Sequence, residues 1–545
     1  MNKSKLMMCA EKANLNQEEC TTKAGEFCYL AFFVILCALK ALGFYEGQAV
    51  FNFFMVIACL FLLAKIALTR HTKAEYIVIV LFLGMGLLTY ACSGEKSLLI
   101  NLMVIVGIKG ISERKVVQSG LTSWGIGYVC LTVLSLLGLH SDAIFLHTKQ
   151  IVGTVGCHSL GYAHSNILHI NYLCISAMVL YLAKDRFSRK QKCALLAILF
   201  AVDIWVFLYS MSFTGMLGTL ILYFFYFYVT MRGHLGKLEK ILAELILPFC
   251  LVFSLVGPLV IKGELFDRIN AALNTRYYLT QWFLTEQPIR LFGFRITVPV
   301  SNYYLDCSYA YLLVYLGIVP FIVLILLYLG LIHHLVRENR NEELAIVLSL
   351  CIAGVTETFL FNLAFKNITL VFVGTYLYTL LGRVQAKKAS SIADMMKLCR
   401  GKLDQDGFLV ISRVSNAVCH EGRKILSAWM KHALYYLALF VLVLAAAGGI
   451  VLLTTRKPDA VYYNGSVFNR TSDEPIYLTR EEVDELRSDG NFVIEYPGED
   501  EPMYRYEGST ANWEYLRIVV SVGAYSAIAV CCVTAMVKDR KKEPE

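Results

Sequence analysis

The sequence predicts an all-α polytopic membrane protein, and three observations carry that reading. Of its 545 residues, 57% are hydrophobic, and the mean hydropathy is +0.57, beyond the range of soluble globular chains. Only 17% are charged, and these break the chain into apolar runs of about 17–25 residues, the length that crosses a bilayer. The formal net charge of +8 resides in Lys and Arg of short loops between those runs. That is the positive-inside pattern, and it excludes a nucleic-acid partner.

Taken in order, the runs give about fourteen spans. Residues 1–27 form a hydrophilic cytoplasmic segment without a small-residue cleavage site, so the first span is expected to stay as an anchor. Apolar cores begin at Cys28, Ala49, Glu75, Ser97, Leu121, Ser165, Ala194, Gly215, Ile241, Ser308, Leu344, Thr369, Ala433 and Leu516. Residues 28–385 make a core of about twelve spans. A cytoplasmic linker (386–432), a transmembrane hairpin (433–537) and a basic cytoplasmic tail (538–545) follow. Basic clusters at 70–73, 109–115, 184–192, 232–240 and 337–340 all fall on one side when the N-terminus is placed inside, as an even number of spans requires.

Three longer stretches then lie outside: 140–164, 262–305 and the acidic 456–513, the last a small extracytoplasmic domain. In that domain Thr479 and Glu482 have capping-box spacing at the start of a short helix, with Gly490 as its stop. The 17 cysteines mostly sit within apolar runs, as Cys37, Cys130 and Cys351 do. No CxxC pair has a matching His or Cys partner, so neither a metal site nor a disulfide framework is expected, and no cofactor.

Candidate chemistry gathers in the outer stretches. Arg268, Arg276, Arg290 and Arg295 stand on a side that otherwise avoids basic residues. Arg268 and Arg276 would share a broad face of one helix and bracket a phosphate or pyrophosphate; an amphipathic surface helix with solvated arginines has even weight. Asp306 precedes an apolar run, where an N-cap is expected that leaves its carboxylate open to a site. His164 closes a stretch of small residues ahead of another span, as a proton acceptor or a structural hydrogen-bonder. Ionisable residues within the spans are few: Lys40, Lys65, Asp203, Glu244 and Glu357. At that depth a charge faces a cavity or a partner.

The order of motifs adds to this. Ser159-Leu160-Gly161-Tyr162 with His164 and Asn166 comes first, then the turn Ser212-Phe213-Thr214-Gly215. Asn274-Thr275-Arg276-Tyr277 and Leu291-Phe292-Gly293 follow, then Asp306-Cys307-Ser308-Tyr309, Tyr315-Leu316-Gly317-Ile318, and Glu357 with Asn362. Together, over residues 30–385, they resemble the O-antigen and capsular polysaccharide polymerases (Wzy type), which share a superfamily with the O-antigen ligases. Ser165, Phe213 and Cys307 depart from that pattern, where Pro, Arg and Asn are usual.

The resemblance implies a GT-C-like core and a metal-independent glycosyltransferase of the bacterial cytoplasmic membrane. It would join repeat units carried on undecaprenyl pyrophosphate into O-antigen, capsule or exopolysaccharide at the outer face. Arg276, with Arg268, Arg290 and Arg295, would hold the pyrophosphate, and Asp306 or His164 would take the acceptor's proton. Tyr277, Tyr309, Asn166 and Glu357 would line the glycan site. The lipid-linked oligosaccharide and the membrane are the expected partners, with a chain-length regulator or a flippase besides. Ligase-type transfer to another acceptor is the alternative. A polysaccharide or lipid transporter ranks third, because no internal repeat is visible.

Overall fold

A computed structural model of the chain describes residues 21–44, 48–149, 153–299, 304–362, 367–384, 433–464, 476–488, 503–507 and 509–540. The helices α1 (Lys23–Ala41), α2 (Ala49–Ala67) and α3 (Lys73–Ser93) lead into α4 (Ser97–Gly107) and α5 (Glu113–Leu136). An antiparallel hairpin of β1 (Ile144–Lys149) and β2 (Gly153–His158) precedes α6 (Ser165–Ala183), α7 (Arg189–Ser210), α8 (Phe213–Arg232) and α9 (Lys237–Val260). Then come α10 (Glu264–Ala272), α11 (Arg276–Glu286), α12 (Ser308–Tyr311), α13 (Ile318–Glu338), α14 (Asn341–Ala353) and α15 (Thr369–Val384). The C-terminal part has α16 (Ala433–Thr454), β3 (Ala460–Asn464), β4 (Ile476–Leu478), α17 (Arg480–Ser488), β5 (Met503–Glu507) and α18 (Ser509–Arg540).

Among the described residues, eleven of these helices are long and apolar enough to cross a membrane: α1–α3, α5–α9, α13, α16 and α18. The chain is a multi-pass helical membrane protein, since helices satisfy their own backbone groups where no water can. The helices α4 and α15 are shorter apolar elements. Nearly all of α4 is buried, Ser97, Leu98, Asn101 and Val104 included, so it packs among neighbours rather than against lipid.

By packing, the described residues within 1–128, 174–186 and 221–411 form one unit, and those within 129–173, 187–220 and 412–545 form another. In the first, α4 lies against α3 and α15 at glycine contacts. A Cβ at Gly86 would stand 2.8 Å from Leu99 Cα, and one at Gly374 would stand 2.7 Å from the Ile105 carbonyl oxygen. Missing side chains there let backbones approach, the usual device where lipid gives no hydrophobic drive to helix association.

Charges in this unit are tied to the chain itself. Lys65 Nζ donates to Lys109 O at 2.8 Å, and Lys109 Nζ donates to Glu75 Oε2 at 2.5 Å and to Arg70 O at 2.6 Å. Glu75 also closes a capping box with Thr72 at the start of α3. Arg340 joins Glu113 at 2.6 Å and Glu343 at 3.1 Å, and Lys184 reaches the same Glu343. Of the other ionisable residues assigned to spans, Lys40 lies over the Phe51 ring at 4.7 Å, and Glu244 pairs with His333 at 2.9 Å.

In the second unit α16 packs along α18, which also lies on β2 and α7. The sheet has the order β4-β3-β5, all antiparallel, with Ala460 opposite both Leu478 and Glu507. Thr479 N donates to Glu482 Oε2 at 2.7 Å, and Glu482 N to Thr479 Oγ1 at 3.4 Å, which is the capping box that their spacing predicts. Gly490, the linker 386–432 and the tail from 541 lie outside the described residues.

The glycine contacts make a direct test. Gly374→Ala is expected to destabilise the protein by about 1–3 kcal/mol through overpacking, whereas Gly382→Ala, with open space around its Cβ, is expected to be neutral. Thermal unfolding of both variants in detergent, followed by tryptophan fluorescence, reads the difference.

Candidate functional site

The site is built on a reversal of the chain. Asn274 and Thr275 have φ of 50° and 67°, left-handed backbone that Asn tolerates and a β-branched Thr disfavours. The reversal ends α10 and starts α11 at Arg276, so Arg268 and Arg276 do not share one helix face as expected from their spacing. Arg268 stays on α10, 75% exposed, and pairs with Glu264 one turn away. Arg276 turns inward, and its side chain is 11% exposed.

The Arg276 guanidinium lies between two carboxylates. Nε is 3.1 Å from Asp306 Oδ2, and Nη2 is 3.4 Å from Glu357 Oε1. The Nε contact lacks hydrogen-bond alignment, so a buried N–H donor is left without an acceptor among the described residues. Burial pushes the Asp306 carboxyl above its ordinary value, and the Arg276 charge offsets this only in part.

Neither acid sits as the sequence led us to expect. Cys307, not Asp306, holds the N-cap position of α12, and it makes no side-chain bond there. The Ser308 amide donates to Gly354 O at 2.8 Å instead, leaving Asp306 to face Arg276. Glu357, expected within a span, follows α14 in irregular backbone. Ser308 holds that stretch: its hydroxyl donates to Glu357 O and accepts from Leu360 N at 3.3 Å.

Both tyrosines spend their hydroxyls on backbone. Tyr277 donates to Phe253 O at 3.3 Å, and Tyr309 to Cys351 O at 2.6 Å. Phe253 belongs to a wide π turn, Val252–Val256, in which the α-helical bonding pattern is interrupted. Gly257 follows because a Cβ there would stand 2.0 Å from the Tyr277 hydroxyl. A cleft beside Arg276 is lined by Phe253, Ser254, Tyr277, Thr280, Cys307 and Val355.

Arg290 and Arg295 are exposed, and the Arg290 guanidinium lies 5.6 Å from the Phe294 ring centroid. Their backbone is fixed: the carbonyls of Arg290 and Leu291 accept from Ile318 N and Val319 N, each at 3.0 Å. Gly293 and Gly317 allow this clasp. A Cβ at Gly293 would be 1.9 Å from Tyr315 O, and one at Gly317 would be 2.4 Å from Gly293 N.

The structure thus brings together Arg276, Asp306, Glu357 and Tyr277. His164 and Asn166 belong to the second unit, where Asn166 N donates to His164 Nδ1 at 3.1 Å at the start of α6. That unit also holds a polar knot around Asp203, which the sequence singled out as an ionisable residue within a span. His169 Nε2 is 2.9 Å from Asp203 Oδ1, and its Nδ1 is 3.0 Å from Ser210 Oγ. Thr219 donates to Asp203 Oδ2 at 2.6 Å. The only sequence signal for His169 was a polar residue within the apolar run of α6.

Asp142 anchors the β1–β2 hairpin. Its Oδ1 accepts from Ser159 N at 3.0 Å and from Leu160 N at 2.7 Å, which holds Leu160 at φ 45°. Burial works to raise this carboxyl, but the bonds from His158 and Leu160 and the charge of Arg517 win, holding it below its usual value. Comparison with known proteins gave nothing further: no family model, curated protein or solved structure matches the chain.

Two outcomes follow from the second unit. His169→Ala leaves Asp203 buried with the Thr219 hydroxyl as its remaining partner, a change worth about 3–5 kcal/mol; thermal unfolding should show Gly215→Ala failing with it, since a Cβ there meets the His169 ring at 2.6 Å. Asp142, depressed in the folded chain, stabilises the hairpin fully above about pH 4 and loses that contribution as pH falls through its lowered value. Hydrogen exchange over residues 141–160, corrected for intrinsic rates, should therefore rise on acidification below about pH 4, and Asp142→Asn should be loose already at pH 7 with no acid step.

Proposed function

We propose that the chain is a membrane glycosyltransferase that polymerises undecaprenyl-pyrophosphate-linked repeat units into a surface polysaccharide at the outer face of the bacterial cytoplasmic membrane. One observation carries the reading most: a nearly buried guanidinium held between two carboxylates, with Nε 3.1 Å from Asp306 Oδ2 and Nη2 3.4 Å from Glu357 Oε1. In the reaction, an acceptor hydroxyl oxygen attacks the anomeric carbon of the donor glycan. The bond from that carbon to the pyrophosphate oxygen breaks, and its electron pair leaves with the lipid pyrophosphate. Arg276 takes up the negative charge that develops, exchanging its contact with Glu357 for a phosphate oxygen. Asp306 takes the hydroxyl proton, a task suited to a carboxyl titrating above its usual range. The exposed Arg290 and Arg295 guide the polyanion inward. Asp306 is preferred to His164 as the base because it stands beside Arg276.

On this reading the full complement is about fourteen spans, with both termini inside. The Arg276 site and the β3–β5 sheet then face outward.

The test uses a host with the cognate glycan pathway and no polymerase of its own. Wild-type protein is expected to give a ladder of glycan lengths. At equal membrane levels, Arg276→Ala and Arg276→Lys should each slow chain growth by about 10²–10³-fold, because Lys keeps the charge but not the two-pronged donor. A ladder that survives Arg276→Ala sinks the site. Wild type that makes no ladder but transfers glycan to a different acceptor replaces the polymerase with a ligase.

A further inference from the structure

Four ionisable side chains of the second unit form a buried cluster that the proposed reaction leaves unused. His158, Glu514 and Arg517 are each less than a tenth exposed, and Asp142 is 21% exposed. His158 Nδ1 donates to Asp142 Oδ2 at 2.5 Å, and its Nε2 stands 4.0 Å from Glu514 Oε1. Arg517 pairs with Glu514 one turn along α18 and lies 5.1 Å from the Tyr209 ring centroid. Tyr209 also meets His158 edge-on at 5.8 Å. In the same unit Val155, Cys157 and Met211 pack together, with Phe145, Phe207 and Trp513 against them.

Such a cluster is a poor source of stability, because taking charges out of water offsets most of their attraction. Its physical effect is to join the two halves: each carries its own pair, and they meet where His158 Nε2 faces Glu514 Oε1 at 4.0 Å and where the Arg517 charge reaches Asp142. The two halves come from segments far apart in sequence, the turn at 142–160 and the start of α18. The latter begins directly after β5, the strand that β3 pairs with in the β4-β3-β5 sheet.

We propose that α18 is an electrostatic lock on the 140–164 segment. Glu514 and Arg517 are its positioning residues: they hold the His158–Asp142 pair, and through it the hairpin and the turn that lead into His164. The lock makes α18 and the β1–β2 hairpin one mechanical body, with α18 lying against β2, β3 and β5. The inference rests on this geometry and stands whether or not the chain polymerises glycan.

Hydrogen exchange on the full-length protein in lipid nanodiscs tests it without any activity readout. Arg517→Met is expected to raise exchange over 141–160 by about ten-fold or more while leaving α1 and α3 unchanged. Arg517→Lys, which keeps the charge, should recover part of the protection. The double variant Glu514→Gln/Arg517→Met, with no lone charge left, should recover most of it. Seen from the other half, Asp142→Asn should loosen residues 509–520. Wild-type exchange over 141–160 in Arg517→Met overturns the proposal, as does a double variant no tighter than the single. Should Arg517→Met fail to accumulate in the membrane, unchanged exchange over 509–520 in Asp142→Asn overturns it equally.

Discussion

A polar group removed from water must find its partner within the chain, and that constraint shapes both units. Lys65 ends on the Lys109 carbonyl, and Lys109 ends on Glu75 and the Arg70 carbonyl. His169 and Asp203 share a knot in which Ser210 and Thr219 supply the remaining contacts. Each arrangement fixes the rotation of the helices that carry it, because a turn of one helix leaves a charge stranded. Apolar faces alone do not give that information, since lipid is as hospitable to Leu as another helix is.

Against this background Arg276 stands out by its surplus of carboxylate. Its charge is compensated twice over, by Asp306 and Glu357, yet one of its donors has no acceptor among the described residues. On the proposed reading the surplus of carboxylate sets a threshold for the ligand. A weak anion gains little by displacing Glu357, whereas a pyrophosphate brings enough charge and two-pronged geometry to compete. Selectivity then comes from what the ligand must displace as much as from what it gains.

Much of the architecture was legible because length and apolarity are one-dimensional signals. Apolar runs located the long helices, and the spacing of Thr479 and Glu482 located the cap of α17. The candidate site was legible only in its members. Arg276, Asp306, Glu357 and Tyr277 could each be named, but the reversal at Asn274 and Thr275, which parts Arg276 from Arg268, depends on backbone conformations that residue type only weakly indicates. Asp306 read as a cap because a carboxylate before an apolar run caps more often than it pairs, and a cation one loop away carries no periodicity. His169 escaped notice for a similar reason: its partners stand on other helices, and no spacing within α6 announces them.

The wide turns have a consequence for descent. Val252–Val256 borders the Arg276 cleft, and Leu312–Leu316 follows Asp306 and α12 and ends at Gly317. Each holds a residue more than an α turn would, so the chain beyond it is rotated by about 100° relative to an uninterrupted helix. A single-codon insertion can therefore re-aim the side chains at a cleft while leaving the lipid-facing ends, the length and the hydropathy of a span almost untouched. Two chains with the same hydropathy profile can then differ in whether a site exists at all, and counting spans would not tell them apart.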